Sequence, residues 1–218
     1  MGRGYVWLVA GLFFLLASPP AKAQWYGLDK WELSPFVGYE TSGSYPLTPT
    51  LNTITVSNVR ADGAVSFGTF IDYSLSENFR VEFMWDRNNT SYSELQPPNP
   101  GYIKAFNSDI DQFQYGALYY FMGKEHKIRP YAAGGLGFTH EFNSGGTPNR
   151  LDFAYNLGGG VRYQWTTHIA FRGDARYLPT YANTSLGTYC DPFFGCYQAN
   201  VRNYQSRGNF VAGVIFSF

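Results

Sequence analysis

The residues best suited to chemistry in this chain are charged side chains that recur at every second position. Arg172, Asp174 and Arg176 alternate with apolar neighbours, and so do Arg80 and Glu82. Because successive side chains of a β-strand point to opposite faces, this spacing gives each strand one charged and one apolar face. If the charged faces are enclosed together, their opposite charges should form ion pairs, since an unpaired buried charge is very costly.

The only two cysteines, Cys190 and Cys196, lie close together in sequence. In an exported chain we expect them to form a disulfide. On the chain-entropy model, closing so short a loop stabilises by roughly 2–3 kcal/mol. Residues 191–195 would then form a small aromatic knob. A metal site is the alternative, but no His or third Cys lies nearby, and we predict neither metal nor cofactor.

The three histidines give little support for catalysis. His126 and His168 lie in short polar connections. His140 shares its strand parity with Phe138 and Phe142, so it belongs to an apolar face. Some small membrane enzymes that remove or transfer lipid A acyl chains work from such positions, but no clear match to their catalytic motifs is present. We predict that the protein is not an enzyme.

The N-terminus has the pattern of a secretory signal peptide. Arg3 is followed by an apolar run over 5–17, and Ala21-Lys22-Ala23 provides small residues at the expected cleavage site. The alternative, a retained membrane anchor, is disfavoured because the run is shorter than the ~20 residues that a spanning helix needs. We therefore predict a signal peptide at 1–23 and a mature domain at 24–218.

The composition is rich in aromatic residues and poor in charge. Aromatic side chains make up 19% of the chain and charged ones 15%, with 16 basic and 16 acidic residues. The mature chain, without Arg3 and Lys22, is slightly acidic, so we predict no nucleic-acid partner. After residue 24 no apolar run is long enough for a membrane-spanning helix, so its apolar residues must alternate along strands or fill a soluble core.

Alternation is what the sequence contains. Phe79, Val81, Phe83 and Trp85 occupy every second position of one segment, and the other positions of that segment hold largely charged residues. Eight segments of this kind occur, at 31–42, 61–73, 79–89, 107–121, 128–142, 151–165, 169–181 and 205–218. An even number of such strands is typical of bacterial single-chain barrels. We predict an all-β protein, an eight-stranded antiparallel transmembrane β-barrel with up-and-down meander topology.

The connections between these segments alternate in length. Three are short, near 74–78, 122–126 and 166–168, and four are long, near 43–60, 90–106, 143–150 and 182–204. In outer-membrane barrels the short turns are periplasmic and the long loops extracellular. We therefore expect both chain termini in the periplasm.

The last segment carries the most specific local pattern. Phe210, Ala212, Val214, Phe216 and the terminal Phe218 share one parity. This resembles the C-terminal signature of outer-membrane barrels, and the chain as a whole resembles the small OmpA-type and opacity-protein-like eight-stranded barrel family. The resemblance implies a bacterial outer-membrane location and recognition of Phe216 and Phe218 by the assembly machinery. It implies no particular activity.

The free-energy cost of placing a charged side chain in lipid decides which of the two strand faces points outward. An arginine near the bilayer midplane costs about 2–4 kcal/mol, so the charged parity must face inward. We predict an interior charge network that includes Glu82, Arg129, Arg162, Arg172, Asp174 and Arg176. The inward set includes Glu32, Glu40, Asp62, Asp72, Arg80, Glu82, Asp86, Arg129, Asp152, Arg162, Arg172, Asp174 and Arg176. Eight strands enclose a space that side chains can fill, which favours a plugged barrel over the alternative, a narrow water-filled channel.

Three functions are compatible with these features. The first is a structural surface protein whose long loops contact host, phage or cell-surface ligands. The second is a narrow channel for small or apolar solutes. The third, a soluble lipocalin-like ligand carrier, is disfavoured by the charged interior and the terminal Phe218. The first is our prediction, with outer-membrane lipid, lipopolysaccharide and the assembly machinery as its further partners.

Overall fold

The computed structural model describes residues 30–41, 43–46, 48–49, 58–95, 102–143, 149–191 and 195–218. The predicted signal peptide at 1–23 lies outside these residues. Within the described part, no helix combines the length and apolar character needed to cross a membrane.

The described chain is built from antiparallel strands, as alternating β-type sequence requires. Eight long strands pair in sequence order, and the first, β1, pairs with the last, β11, so the sheet closes on itself. This confirms the predicted eight-stranded antiparallel barrel. The strands are β1 Trp31–Glu40, β2 Gly43–Pro46, β3 Thr48–Pro49, β4 Asn58–Ala61, β5 Ala64–Ser74, β6 Phe79–Leu95, β7 Tyr102–Tyr120, β8 Ile128–Asn143, β9 Arg150–Gln164, β10 Ile169–Asp191 and β11 Gly195–Ser217, of which β1 and β5 to β11 form the barrel.

The two ends of the barrel differ. At one end, which we call the short-turn end, strands are joined at 75–78, 121–127 and 165–168. At the opposite end, the long-loop end, β6, β7, β10 and β11 continue well past their predicted limits, whereas β1 ends at Glu40 and β5 begins at Ala64, short of theirs. The predicted connections at 90–106 and 182–204 were wrong in this respect, because large parts of both are strand.

The β10–β11 hairpin extends furthest at the long-loop end. The pairing of β10 with β9 ends at Tyr181 and Phe153, but its pairing with β11 continues to Asp191 and Gly195. Residues 182–191 therefore pair with β11 and not with β9. At about 3.3 Å per residue this part of the strand is about 33 Å long.

The first long connection also contains β-structure. Its strand β2 pairs with β4, and β4 pairs with the extended part of β6. Its strand β3 pairs with the β10–β11 hairpin at Ala199 and Asn200. These pairings extend the sheet beyond the closed barrel at the long-loop end.

The two faces of the barrel wall differ as the alternation of apolar and charged residues predicted. Outward residues are largely exposed aromatic and aliphatic side chains, such as Tyr115, Leu136 and Leu157, whereas inward residues are buried. Aromatic pairs also occur on the outer face near the short-turn end, where Trp31 contacts Tyr73 with ring centroids 4.8 Å apart. This distribution suits a wall with hydrocarbon outside.

Inward glycines make room for large interior side chains. A Cβ added at Gly160 would overlap the Gly173 carbonyl and the Tyr131 hydroxyl, and one added at Gly68 would overlap the Trp85 carbonyl and the ring of Phe36. Gly173, on the outer face, has open space instead, because nothing lies within 4 Å of a Cβ added there. Absence of a side chain is thus required at Gly160 and Gly68 because carbonyls of the neighbouring strands and interior rings occupy that space.

Candidate functional site: the barrel interior

The centre of the interior holds a compact ion-pair network. Arg172 and Arg176, four residues apart on β10, both reach Glu82 on β6, with closest N–O distances of 2.6 Å. Both also contact Asp174, which lies between them, at 2.8 and 2.9 Å. Parity on a single strand brings Arg172, Asp174 and Arg176 to one face, and the closed sheet brings Glu82 opposite them.

Two further strands join this central network. The hydroxyl of Tyr131 on β8 donates to Asp174 at 2.7 Å. Asp72 on β5 lies 3.3 Å from Arg172. The guanidinium of Arg172 also lies over the ring of Phe70, 3.7 Å from its centroid, where a cation–π contact is favourable. The network thus connects β5, β6, β8 and β10 across the space that a pore would need.

The predicted residues Arg129 and Arg162 belong to a second cluster, nearer the short-turn end. Arg162 donates to both carboxylate oxygens of Glu32 at 2.8 Å, and Arg80 forms an ion pair with the same carboxylate. Arg129 donates to the backbone carbonyls of Met122 and Glu77 at 3.0 and 2.9 Å. Among the described residues, Arg162 pairs with Glu32 and neither Arg129 nor Arg162 forms an ion pair with Glu82, although Arg162 lies directly opposite Arg172 in the sheet.

Apolar side chains also fill part of the interior. The sequence analysis placed charged residues inside from the cost of burying them in lipid, and it did not predict these apolar ones. Phe36, Phe70, Met84, Leu178 and Val211 form a buried cluster with exposures between 1% and 8%. A second cluster consists of Leu118, Tyr120, Tyr131 and Ala133. Their positions follow from parity, because each lies on the same strand face as the inward polar residues. Apolar residues can therefore face either way in this barrel. Most buried charges face inside, but Asp111 is buried on the outer face of β7, where it lies 3.4 Å from Arg87.

A third polar cluster lies towards the long-loop end and contains residues that the sequence analysis missed. Arg207 on β11 contacts Glu40 on β1 and Glu141 on β8, each at 3.3 Å. Gln112 on β7 donates to Glu40 at 2.7 Å. Tyr92 on β6 donates to Glu141 at 3.1 Å. Glu141 and Arg207 share the inward parity of their strands, and that signal could have identified them.

Asp86 and Asp152 occupy inward positions as predicted. Asp86 is fully buried and accepts a hydrogen bond from Asn209. Asp152 lies near the long-loop end, 2.5 Å from Arg150. Arg150 was missed because the predicted strand began one residue later.

Asp62 does not face the barrel interior, contrary to the prediction. It lies between β4 and β5 at the long-loop end, where Ser93 donates to it at 2.6 Å, Arg60 at 3.0 Å and Ser91 at 3.1 Å. Burial acts to raise the pKa of Asp62, but these hydrogen bonds outweigh it and leave the pKa below its ordinary value. Asp62 therefore ties the first long connection to β6.

The remaining predicted residues lie on the outer face or beyond the barrel. Phe216 is half-buried and Phe218 exposed, and the Phe218 amide donates to the Trp31 carbonyl at 2.9 Å. The backbones of Cys190 and Cys196 pair directly near the tip of the β10–β11 hairpin. Their side chains lie outside the described residues, so the disulfide stays a prediction.

His140 lies on the outer face of β8, as its parity predicted. Its ring contacts the ring of Phe142, with centroids 4.0 Å apart. Across the strand pair it is opposite Asp111 on β7 and Leu151 on β9. Its strand position and its stacking on Phe142 account for this placement.

Comparison with known proteins places this architecture in context. The sequence profile described as "Outer membrane protein beta-barrel domain" matches residues 9–214. No curated protein sequence matches the chain. Among solved structures, the outer membrane protein OprG from Pseudomonas aeruginosa is similar with a TM-score of 0.64 and 13% identity, covering 88% of this chain and 98% of its own.

Two other solved structures have a similar fold. Neisserial surface protein A matches with a TM-score of 0.54 and 14% identity, covering 86% of this chain and 97% of its own. The outer membrane protein AlkL in lipid bilayers matches with a TM-score of 0.53 and 15% identity, covering 92% and 95%. At these identities the likeness concerns the fold alone.

Proposed function

Since this chain belongs to the outer membrane protein beta-barrel family, we propose that it is a surface protein whose sealed barrel anchors protruding extracellular loops. The barrel lies in the bacterial outer membrane, as predicted. In such barrels the short-turn end faces the periplasm and the long-loop end faces the outside. The proposal has two parts, a closed interior and a surface built for contact.

The observation that carries the closed interior is direct contact between side chains from opposing strands at several heights. Arg162 meets Glu32, Arg176 meets Glu82, and Arg207 meets Glu141. Each contact joins strands that are not neighbours in the sheet. A solute path along the axis would have to separate these pairs, and separating buried opposite charges without water is costly.

The form of the long-loop end supports a role in contact. The β10–β11 hairpin extends past the end of its pairing with β9 and is joined by β3 at Ala199 and Asn200. A paired extension is more ordered than a free loop, so less conformational entropy is lost when it binds a partner. The predicted disulfide between Cys190 and Cys196 would close its tip and reduce that loss further.

The outer face and the chain ends supply the other proposed partners. Exposed aromatic and aliphatic side chains such as Tyr115 and Leu136 suit contact with membrane lipid and lipopolysaccharide. Export by the signal peptide at 1–23 and recognition of Phe216 and Phe218 by the assembly machinery complete the proposal. Its role is non-catalytic, with His140 stacked on Phe142 as an interfacial residue.

Surface contact can be tested by shortening the β10–β11 hairpin. Residues 183–202 are replaced by a two-residue Asn-Gly turn, which suits a tight hairpin and leaves the barrel strands intact. The full-length and shortened proteins are expressed in a non-adherent Gram-negative strain. The cells retained on an epithelial monolayer are then counted after washing.

We expect full-length protein to raise retention above the empty-vector strain and the shortened protein to return it to that level. Folding of both is checked by heat-modifiable migration on gels. As a control, the turn at 122–126 is replaced by the same dipeptide, which leaves the extracellular surface unchanged. Retention by the folded shortened protein equal to the full-length level would refute the role of this hairpin.

A further inference from the structure

A cavity of about 260 Å³ opens at the short-turn end of the barrel. Its lining includes Arg80 from β6, Arg129 from β8, Arg162 from β9 and Lys124 from the turn at 121–127, together with Glu32 from β1. Three separate strands and a turn thus direct cationic groups to one concave site. The cavity lies below the central Glu82 network, on the side that faces the periplasm.

The charge of this cavity is unbalanced. Four basic side chains line it against one carboxylate, Glu32, which already accepts from Arg162 and Ser217 and pairs with Arg80. Deeper in the barrel, Asp72, Asp174 and Glu82 pair with the central arginines, and of these Asp72 also interacts electrostatically with Arg80. Even with Asp72 counted, the cavity keeps more basic than acidic groups.

The Glu77 carboxylate, at the rim, accepts a hydrogen bond from the backbone N–H of Lys124 at 3.0 Å. Even if its charge is counted with the cavity, the basic groups remain in excess. The site therefore keeps a positive potential that would concentrate anions from the periplasm.

The arginines also retain hydrogen-bonding capacity. Nε of Arg80 is buried and has no hydrogen-bond partner among the described residues. Arg129 is held in place by uncharged acceptors, the carbonyls of Met122 and Glu77, and by the Tyr120 ring 4.2 Å from its guanidinium carbon. Its positive charge is thus positioned without being neutralised. A fixed guanidinium and a buried donor without an acceptor are features of a preformed anion site.

We propose that this cavity binds a phosphate group from the periplasm, either as inorganic phosphate or as a phosphomonoester. Phosphate fits because its several acceptor oxygens can receive the planar forks of more than one arginine together with the point charge of Lys124. A single carboxylate, with two oxygens in one plane, would satisfy fewer of these donors.

The test uses the mature barrel, folded in a non-ionic detergent and titrated with inorganic phosphate or with glycerol phosphate by isothermal calorimetry. We expect saturable one-to-one binding, weakened about tenfold in Lys124→Gln and in Arg129→Gln, since each removes one charge-assisted contact. The matched control is Lys127→Gln, which removes the same charge from the same turn but does not line the cavity. Heat-modifiable migration confirms that each variant is folded.

The two titrants distinguish the sources of the phosphate group. Tighter binding of glycerol phosphate would assign a phosphomonoester, and tighter binding of inorganic phosphate the free ion. The proposal is overturned if the wild type shows no saturable binding of either titrant. It is equally overturned if Lys127→Gln weakens binding as much as Lys124→Gln, because general surface charge would then explain the effect.

Discussion

Arg176 on β10 and Glu82 on β6 form a two-point ion pair across the barrel, with Nη1–Oε1 at 2.6 Å and Nη2–Oε2 at 3.0 Å. The fork of the guanidinium matches the carboxylate, a geometry that fixes both side chains. The contact joins two distant segments of the chain and crosses the centre of the interior. It is therefore the contact on which the proposed sealing of the barrel depends most directly.

Glu82→Ala should destabilise the barrel by about 3 kcal/mol, because it leaves Arg172 and Arg176 short of negative charge in a buried site. Adding Arg176→Ala should recover part of that loss, since the two residues are coupled. The measurement is urea-induced unfolding in lipid vesicles. Glu125→Ala, at an exposed ion pair with His126, is the control and should change stability by less than about 0.5 kcal/mol. Strictly additive losses in the double mutant would contradict the coupling.

Gly160→Ala should destabilise the barrel by about 1–3 kcal/mol, because its new Cβ overlaps both the Gly173 carbonyl and the Tyr131 hydroxyl that donates to Asp174. Gly173→Ala is the matched control on the neighbouring strand. Its Cβ meets nothing within 4 Å, so its effect on stability should be neutral or slightly favourable. Both are compared by the same unfolding assay. Equal stability of the two variants would show that the interior does not need the space at Gly160.

The fold was largely predictable, because the alternation of side chains and the short turns are local signals. The predicted strand starts at 31, 79, 128 and 169 coincide with those of β1, β6, β8 and β10. The strand ends at the long-loop end were not predictable in the same way. There the extensions of β10 and β11 leave the closed sheet, so no lipid-facing apolar pattern marks them.

The interior was predictable in part. The alternation along each strand identified which charges face inward, including Glu82 and Arg176. It does not show how far along the barrel axis each residue lies, because neighbouring strands of a closed barrel are staggered. For that reason it could not show that Arg162 pairs with Glu32. It also placed Asp62 inside, because the predicted second strand ran through the break at 62–63.

The pairing of Cys190 with Cys196 across the hairpin predicts a disulfide in the exported protein. Directly opposite residues of antiparallel strands have Cα separations of about 4.5–5.5 Å, within the range that a disulfide spans. Alkylation of the unfolded mature protein should label both thiols only after reduction, with Cys190→Ser as the control for a single thiol. Labelling of both without reduction would show that the bond does not form.

Phe218→Ala should lower the outer-membrane level of the protein, with fragments or precursor accumulating in the periplasm. This variant keeps the amide that donates to Trp31, so it isolates the aromatic ring from the backbone contact. Deletion of Phe218 removes both and should be at least as severe, whereas Phe218→Tyr should assemble normally. Fractionation followed by immunoblotting measures these levels. Normal assembly of the Ala variant would show that the terminal aromatic is not needed.

The central claim, that side chains seal the barrel, is tested most directly by electrical recording of the purified mature protein in a planar lipid bilayer. The contacts of Glu82 with Arg172 and Arg176 predict only rare, small conductance events for the wild type. Steady, large conductance from the folded wild-type protein would contradict the sealed interior and favour the channel function instead.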